Sequence, residues 1–296
     1  MDIKRWDVGP STFLVLPEKG ARLLNWHVNM GDGSVRDVIY WPESIDHQHL
    51  SMVDGGIPIL FPFCGLCSHQ GRTGEWRAQD GKTYQMPLHG FAKDASFRIR
   101  SIDHAGFEVE MINEDNFKSF YPYEYTFTVI YHFLELSLQI SLVLENEGRI
   151  PVPWSAGLHP YFHIPWRKDL RLVDHLLSID SRKTYQYEQD GSLNENPKLN
   201  YPTSLEEPAL INRIHYQLES PDAEISLLNA EETLRISEAS WRGKGSRLSY
   251  ISWTKPNAPY FCLEPWMSPP NAPENKTMEY VSPGGREEFT IEIELA

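Results

Sequence analysis

A period of two constrains this chain more than any other feature. From Tyr125 the large side chains fall at Tyr125, Phe127, Val129 and Tyr131, with Thr126 and Thr128 between them. From Leu134 they fall at Leu134, Leu136, Leu138, Ile140, Leu142 and Leu144, alternating with Glu135, Ser137, Gln139 and Ser141. Near the end the pattern returns as Phe289, Ile291, Ile293 and Leu295 against Thr290, Glu292 and Glu294. Side chains on a strand point alternately to two faces, so each run predicts a strand with one face buried. Shorter runs at Phe97 to Ile102, Phe107 to Ile112 and Ile225 to Leu228 read the same way. Amphipathic helical patterning is scarce, and 22 Pro with 19 Gly cut the chain into short pieces. The expected class is all-β, an antiparallel sandwich or barrel.

No linker divides the chain. Glu188 to Pro208 reads as a long surface loop and Pro265 to Pro273 as an irregular stretch, but alternation resumes after each. One domain over residues 1–296 is the simplest account, and 41% hydrophobic residues supply a core for it. Charge narrows the partners. There are 27 Lys+Arg and 41 Asp+Glu, a net charge of -14, which repels nucleic acid and anionic membrane. No apolar run approaches a membrane span, and the first residues show no secretory pattern, so a cytoplasmic protein is expected. No feature calls for an obligate protein partner. Cys64, Cys67 and Cys262 are the only cysteines. Cys64 and Cys67 form a Cys-x-x-Cys pair with His69 beyond, which reads sharply as a redox pair or half a zinc site. No second pair or His-rich partner follows, so two small buried residues in a turn is the preferred reading.

Four segments look unlike ordinary strand sequence: Asp54 to Gly65, Met86 to Asp94, Trp154 to Phe162, and Pro259 to Trp266. Each places a titratable residue among apolar and aromatic ones. His89 precedes Gly90, which admits a ligand or another backbone at close range. His159 and Glu264 each precede a proline, which predicts that each ends its strand and projects into a cleft. An imidazole and a carboxylate in aromatic surroundings form an acid–base pairing, because desolvation raises the Glu pKa and lowers the His pKa. Taken singly, each residue is more often structural than catalytic, and sequence physics alone cannot show that the segments converge.

In this order and spacing the four segments resemble the aldose 1-epimerase (mutarotase) superfamily. The motifs are Gly55-Gly56-Ile57-Pro58-Ile59-Leu60-Phe61-Pro62, His89-Gly90-Phe91-Ala92-Lys93, His159-Pro160-Tyr161-Phe162 and Glu264-Pro265-Trp266. They are most similar to the branch containing the hexose-6-phosphate mutarotases and epimerase-like proteins of unassigned substrate. The resemblance runs from about Gly55 to the C-terminus. It implies a large antiparallel β-sandwich of the galactose mutarotase type, with a sugar in a cleft on its concave face. It implies Glu264 as general base at the C1 hydroxyl, His159 as general acid at the ring oxygen, and His89 hydrogen-bonding the sugar. The implied chemistry needs no metal and no redox cofactor. Phe61, Tyr161 and Trp266 are candidates to stack on the sugar's C–H face.

Two positions depart from the sugar-phosphate members of that branch, which carry Arg where this chain has Asp54 and Lys93. Arg grips a phosphate through two parallel bonds, Lys offers a point charge, and Asp repels it. Asp54 suits the hydroxyls of a neutral sugar, or is a turn residue before the glycine pair. Asn212 is the nearest match to a sugar-contacting Asp of the family. Three functions stay open at this stage. The first is a mutarotase on an unphosphorylated or unidentified aldose. The second is a sugar-binding protein without catalysis. The third is a hexose-6-phosphate 1-epimerase that uses Lys93 with Arg72 or Arg98.

Overall fold

The structure is a computed structural model, and it describes residues 2–43, 49–188, 191–229, 231–240, 243 and 248–296. The alternating runs form strands. In chain order the principal ones are β1 (Lys4–Val8), β2 (Ser11–Leu16), β3 (Arg22–Asn29), β4 (Val35–Ile39), β5 (Ile59–Leu60) and β6 (Phe97–Ile102). There follow β7 (Gly106–Met111), β8 (Tyr125–Phe133), β9 (Ser137–Asn146), β10 (Gly157–Leu158), β11 (Tyr161–His163) and β12 (His175–Tyr187). The last are β13 (Arg213–Leu227), β14 (Thr233–Glu238), β15 (Ser249–Trp253), β16 (Tyr260–Trp266) and β17 (Arg286–Leu295). The one α-helix among the described residues is Ala272–Asn275.

Two antiparallel layers result. The first runs β6-β7-β8-β9-β17-β14 and continues onto the C-terminal half of β13. The second runs β1-β2-β3-β4-β11-β16-β15 and continues onto the N-terminal half of β13. Thus β13, with β12 along its length, belongs to both. The join is a bulge: Ile179 pairs with Ala223 but Ser181 pairs with Leu218, leaving residues 219–222 of β13 outside the ladder. A bulge of this kind bends a strand and lets it turn from one sheet to the next.

The layers meet through aromatic rings. Trp6 stacks on Phe107 at 5.2 Å, Phe13 on Phe133 at 4.5 Å, and Phe61 on Phe127 at 3.9 Å. Leu138, Ile140, Leu142, Leu144, Phe289, Ile291 and Ile293 are buried, as their alternation requires. Leu134 and Leu136 break that expectation. They lie in the β8–β9 hairpin turn, closed by Leu134 N–H donating to Ser137 O, and both are exposed. Apolar residues kept the period going past the end of the strand. Glu188 to Pro208 is also less loop-like than expected, although residues 189 and 190 lie outside the described residues. Its Leu193–Asn196 strand pairs with β12, and Thr203–Ser204 pairs there too. Pro265 and Trp266 belong to β16 rather than to an irregular stretch.

The second layer has two unlike faces. Along β16, Phe261 and Leu263 point into the core between the layers, while Tyr260, Cys262 and Trp266 belong to clusters on the opposite side. Glu264 shares that opposite side by alternation and lines a cavity there. The cleft therefore sits on the outer face of the second layer, over β16, β15, β11 and β5.

Candidate active site

The cavity encloses about 470 Å³. Its floor comes from neighbouring strands: Glu264 and Trp266 of β16, Ile251 and Trp253 of β15, Tyr161 of β11 and Leu60 of β5. Ile251 is the register partner of Glu264 across β15–β16. His159 lies in the two-residue gap between β10 and β11, as its following proline suggested. Glu264 does not end its strand. Pro265 continues β16 because β15 pairs with it from Cys262 to Trp266, while on the other edge the partner changes from β11 to β10 between Cys262 and Trp266. The missing proline N–H falls at a site where the ladder is already interrupted.

Glu264 and His159 are the chemical centre. His159 Nε2 stands 3.3 Å from Glu264 Oε1, and the Glu264 side chain is 3% exposed. Burial pushes the Glu264 carboxyl well above its usual range, and the Trp266 indole N–H, close but outside hydrogen-bond geometry, offsets this only in part. Burial pushes His159 well below its usual value, with repulsion from His89 adding to it. Three buried polar atoms here have no protein partner: Glu264 Oε2, His159 Nδ1 and Trp266 Nε1. Such atoms are costly in a folded protein unless a ligand or water meets them. The His159 ring is held by a parallel stack on Tyr161 at 4.6 Å and an edge contact with Trp253 at 5.8 Å.

His89 reaches the cavity from the loop before Ala92–Asp94. Its backbone φ is +63°, a left-handed conformation fixed by two bonds: its own N–H donates to Gly65 O at 2.9 Å, and Gly90 N–H to Pro87 O at 2.9 Å. Gly90 is required next to it, since a Cβ there would meet Phe61 O at 1.9 Å. The close approach anticipated for Gly90 is thus to backbone. Gly65 N–H donates to His89 Nδ1 at 3.2 Å, which leaves Nε2 as the protonated nitrogen and a donor. Burial lowers the His89 pKa to about 3, with Lys93 contributing, so the ring is neutral.

Asp54 lines the cavity on a loop collected by one buried arginine. Arg22 donates to the carbonyls of Leu50, Val53 and Gly55, and its guanidinium lies 5.2 Å from the Trp41 ring centre. Gly56 lets this loop pass, since a Cβ there would meet Leu23 O at 2.2 Å. The Asp54 oxygens already have partners: Lys255 Nζ and Tyr260 OH (3.1 Å) on Oδ2, and Tyr161 OH on Oδ1 at 3.4 Å. Lys93 also lines the cavity, with its ammonium 2.7 Å from Asp94. Asn212 lines it from a left-handed residue (φ +55°) just before β13. Behind Asn212 is a buried chain in which Tyr201 OH meets His215 Nδ1 at 3.1 Å, His215 Nε2 meets Ser252 Oγ at 3.2 Å, and Ser252 donates to Leu210 O.

Eight of the nine residues singled out from the sequence thus border one cavity: His89, His159, Glu264, Asp54, Lys93, Tyr161, Asn212 and Trp266. Phe61 does not. It is fully buried and stacked on Phe127, so it has no face to offer a sugar. Ile59, Leu60 and Phe61 alternate core, cleft, core, and the cleft position went to Leu60. Arg72 and Arg98 are exposed and held by Glu75 and Glu110, outside the cavity. Cys64 and Cys67 are free, buried thiols. Burial pushes Cys67 up to about 12 and Cys64 well above its usual value, the reverse of an activated redox cysteine. Sequence reasoning missed Trp253, Lys255 and Tyr187 in the cavity wall and Arg22 behind it. For Trp253 the available signal was its alternation with Ile251, two residues before it on β15.

The site is thus a carboxylate–imidazole pair at the floor of an outer cleft on a two-layer β-sandwich. Comparison with known proteins names it: the chain belongs to the aldose 1-epimerase family, which it matches over residues 11–292. That span begins well before Gly55. The chromosomal LacX protein of Lactococcus lactis subsp. lactis is 25% identical over 232 residues, covering 72% of this chain and 74% of that protein. Solved structures of similar fold include a galactose mutarotase-like protein from Clostridium acetobutylicum. It has TM-score 0.80 and 17% identity over 99% of this chain and 94% of that one. Another is a galactose mutarotase related enzyme from Lactobacillus acidophilus, with TM-score 0.78 and 16% identity over 100% of this chain and 97% of that one. At these identities the two structures speak to the fold, which is the galactose mutarotase-like sandwich.

Proposed function

We propose that the protein is a mutarotase that interconverts the α and β anomers of an unphosphorylated aldose. The observation that carries this reading is the Glu264–His159 pair, 3.3 Å apart and buried at the cavity floor with Oε2 and Nδ1 unpartnered. One proton serves both groups. Burial favours the neutral arrangement, with the proton on the carboxyl. A sugar's hydroxyls restore the polar contacts that burial removed, and the proton then crosses to His159. The carboxylate takes the C1 hydroxyl proton while the imidazolium protonates the ring oxygen. The C1–O bond of the ring breaks, an aldehyde forms, and the C1–C2 bond rotates. Reclosure on the other face returns both protons with the roles exchanged. The two reacting oxygens share one carbon, which suits two groups set side by side. His89 Nε2–H supplies a neutral donor to the bound sugar. Positioned acid–base catalysis of this kind is worth about 10²–10⁴-fold.

An uncharged sugar is supported by the state of the two cavity lysines. Lys93 holds Asp94 and Lys255 holds Asp54, so neither ammonium is left unpaired for a phosphate. NMR anomer exchange on glucose, galactose and their 6-phosphates tests the reading. The expected result is acceleration of a free hexose that is lost in Glu264→Gln. Saturable binding with no acceleration would make the protein a sugar-binding relative instead. Acceleration confined to the 6-phosphates would reassign the substrate.

A further inference from the structure

The Cys-x-x-Cys turn has a use that needs no thiol chemistry. Both of its ends are anchored: Cys64 N–H donates to Ser155 O at 3.1 Å, and Gly74 N–H donates to Cys67 O at 2.7 Å. Its two middle residues hold side chains of the cavity wall. Gly65 fixes His89 by accepting from its backbone N–H and donating to its Nδ1. Leu66 N–H donates to Tyr187 Oη at 2.7 Å. Tyr187 closes β12 and lines the same cavity as His89, His159 and Glu264. Its backbone N–H donates to Asn212 O at 2.8 Å, and its ring packs against Leu60, Cys64, Ile214, Ile251 and Trp266. A Cβ on Gly65 would lie 3.0 Å from Tyr187 Oη and 3.3 Å from the Trp266 ring, whose centre is 5.6 Å from that of His89. The phenol hydroxyl and the His89 imidazole thus flank one turn.

A phenol hydroxyl donates one proton and accepts through its oxygen. Leu66 N–H occupies the oxygen, and no protein acceptor among the described residues takes the proton. Burial pushes the phenol up to about 12, so the proton is present at neutral pH. A half-buried donor in this state is completed by an acceptor from the cavity. We infer that Tyr187 is a specificity-determining residue, whose O–H, aimed by the Cys64–Cys67 turn, donates to one sugar hydroxyl other than that on C1. The inference rests on the mutarotase reading and deepens it. The C1 hydroxyl and the ring oxygen belong to Glu264 and His159, which leaves Tyr187 a hydroxyl elsewhere on the sugar. Inverting the carbon that bears this hydroxyl moves its oxygen, so the contact separates epimers.

The test is anomer exchange with the parent protein and Tyr187→Phe. The substrates are whichever of glucose and galactose the parent accelerates more, and its singly deoxygenated forms at C2, C3, C4 and C6. On the intact sugar Tyr187→Phe should lower kcat/KM about tenfold, the upper scale of one neutral hydrogen bond. One deoxy sugar should cost the parent a similar factor. On that sugar the two proteins should agree within about twofold, because the bond is already missing. That agreement also reports that the variant is folded with its Glu264–His159 pair intact. The inference is overturned if Tyr187→Phe keeps the parent's rate on the intact sugar. It is overturned equally if the variant loses the same factor on every deoxy sugar, the result expected of a tyrosine that only supports Leu66. Failure of the parent to accelerate either hexose overturns the mutarotase reading itself, and the inference with it.

Discussion

The two ends of the cleft are built on opposite rules. At the floor, Glu264 and Trp266 are buried, His159 is 12% exposed, and each leaves a buried polar atom without a protein partner. At the mouth, Asp54 is at least as polar and far more exposed, yet Lys255, Tyr260 and Tyr161 satisfy it. A buried acceptor without a partner costs about 1–3 kcal/mol, whereas an exposed ion pair contributes under about 1 kcal/mol. The protein therefore stores its unmet polar demand at the floor and spends paired groups on the shape of the mouth. Chemistry belongs where a ligand completes the hydrogen bonds. Shape belongs where the wall is already complete.

The sharpest way to break this comparison is Glu264→Gln. Activity should fall by about 10²–10⁴-fold, the range expected for loss of a positioned acid–base group. Stability should move the other way. The Glu264 pKa is raised in the folded protein, so its contribution is full below the unfolded value near 4.5 and is lost as pH climbs through the folded value. Gln carries no such dependence. Melting curves should show the variant matching the parent at about pH 4 and exceeding it at about pH 8. A variant less stable than the parent at the higher pH would mean that Glu264 is already paired and not strained.

A smaller effect is expected at the mouth. Lys255→Met breaks an ion pair whose side chains are 53% and 34% exposed. It should cost under about 1 kcal/mol in a thermal melt, less at high salt, with kcat unchanged and KM altered a few-fold. A kcat loss on the scale of Glu264→Gln would show that the two ends do not divide the work.

The layers of the sandwich were legible because long strands with one buried face carry their own period, as Tyr125 to Tyr131 and Phe289 to Leu295 do. The four chemical segments were legible as odd sequence; three converge because β5, β10, β11 and β16 lie side by side, and Met86 to Asp94 is tied to them by the Phe61–Gly90 bridge and the His89 N–H bond to Gly65 O. What failed did so where local pattern runs out. Two residues of β5 give no period, so residue type alone put Phe61 in the cleft when the pleat sends it to the core. Pro265 looked like a strand end because sequence does not show that only one edge of β16 loses its partner there. Trp253 and Lys255 come from around a strand, Ser249–Trp253, with no histidine or carboxylate to mark it as functional. Arg22 reads as an ordinary strand residue until its three carbonyl partners on the Asp54 loop are seen.

The central claim is that Glu264 and His159 act as one unit sharing one proton. A double-mutant cycle on anomer exchange tests it directly, with the parent, Glu264→Gln, His159→Asn and the pair of changes together. The account predicts that each single change loses about 10²–10⁴-fold and that the double loses no more than the worse single, since either change already removes the shared proton transfer. Losses that multiply, or a single variant that keeps the parent rate, would contradict it.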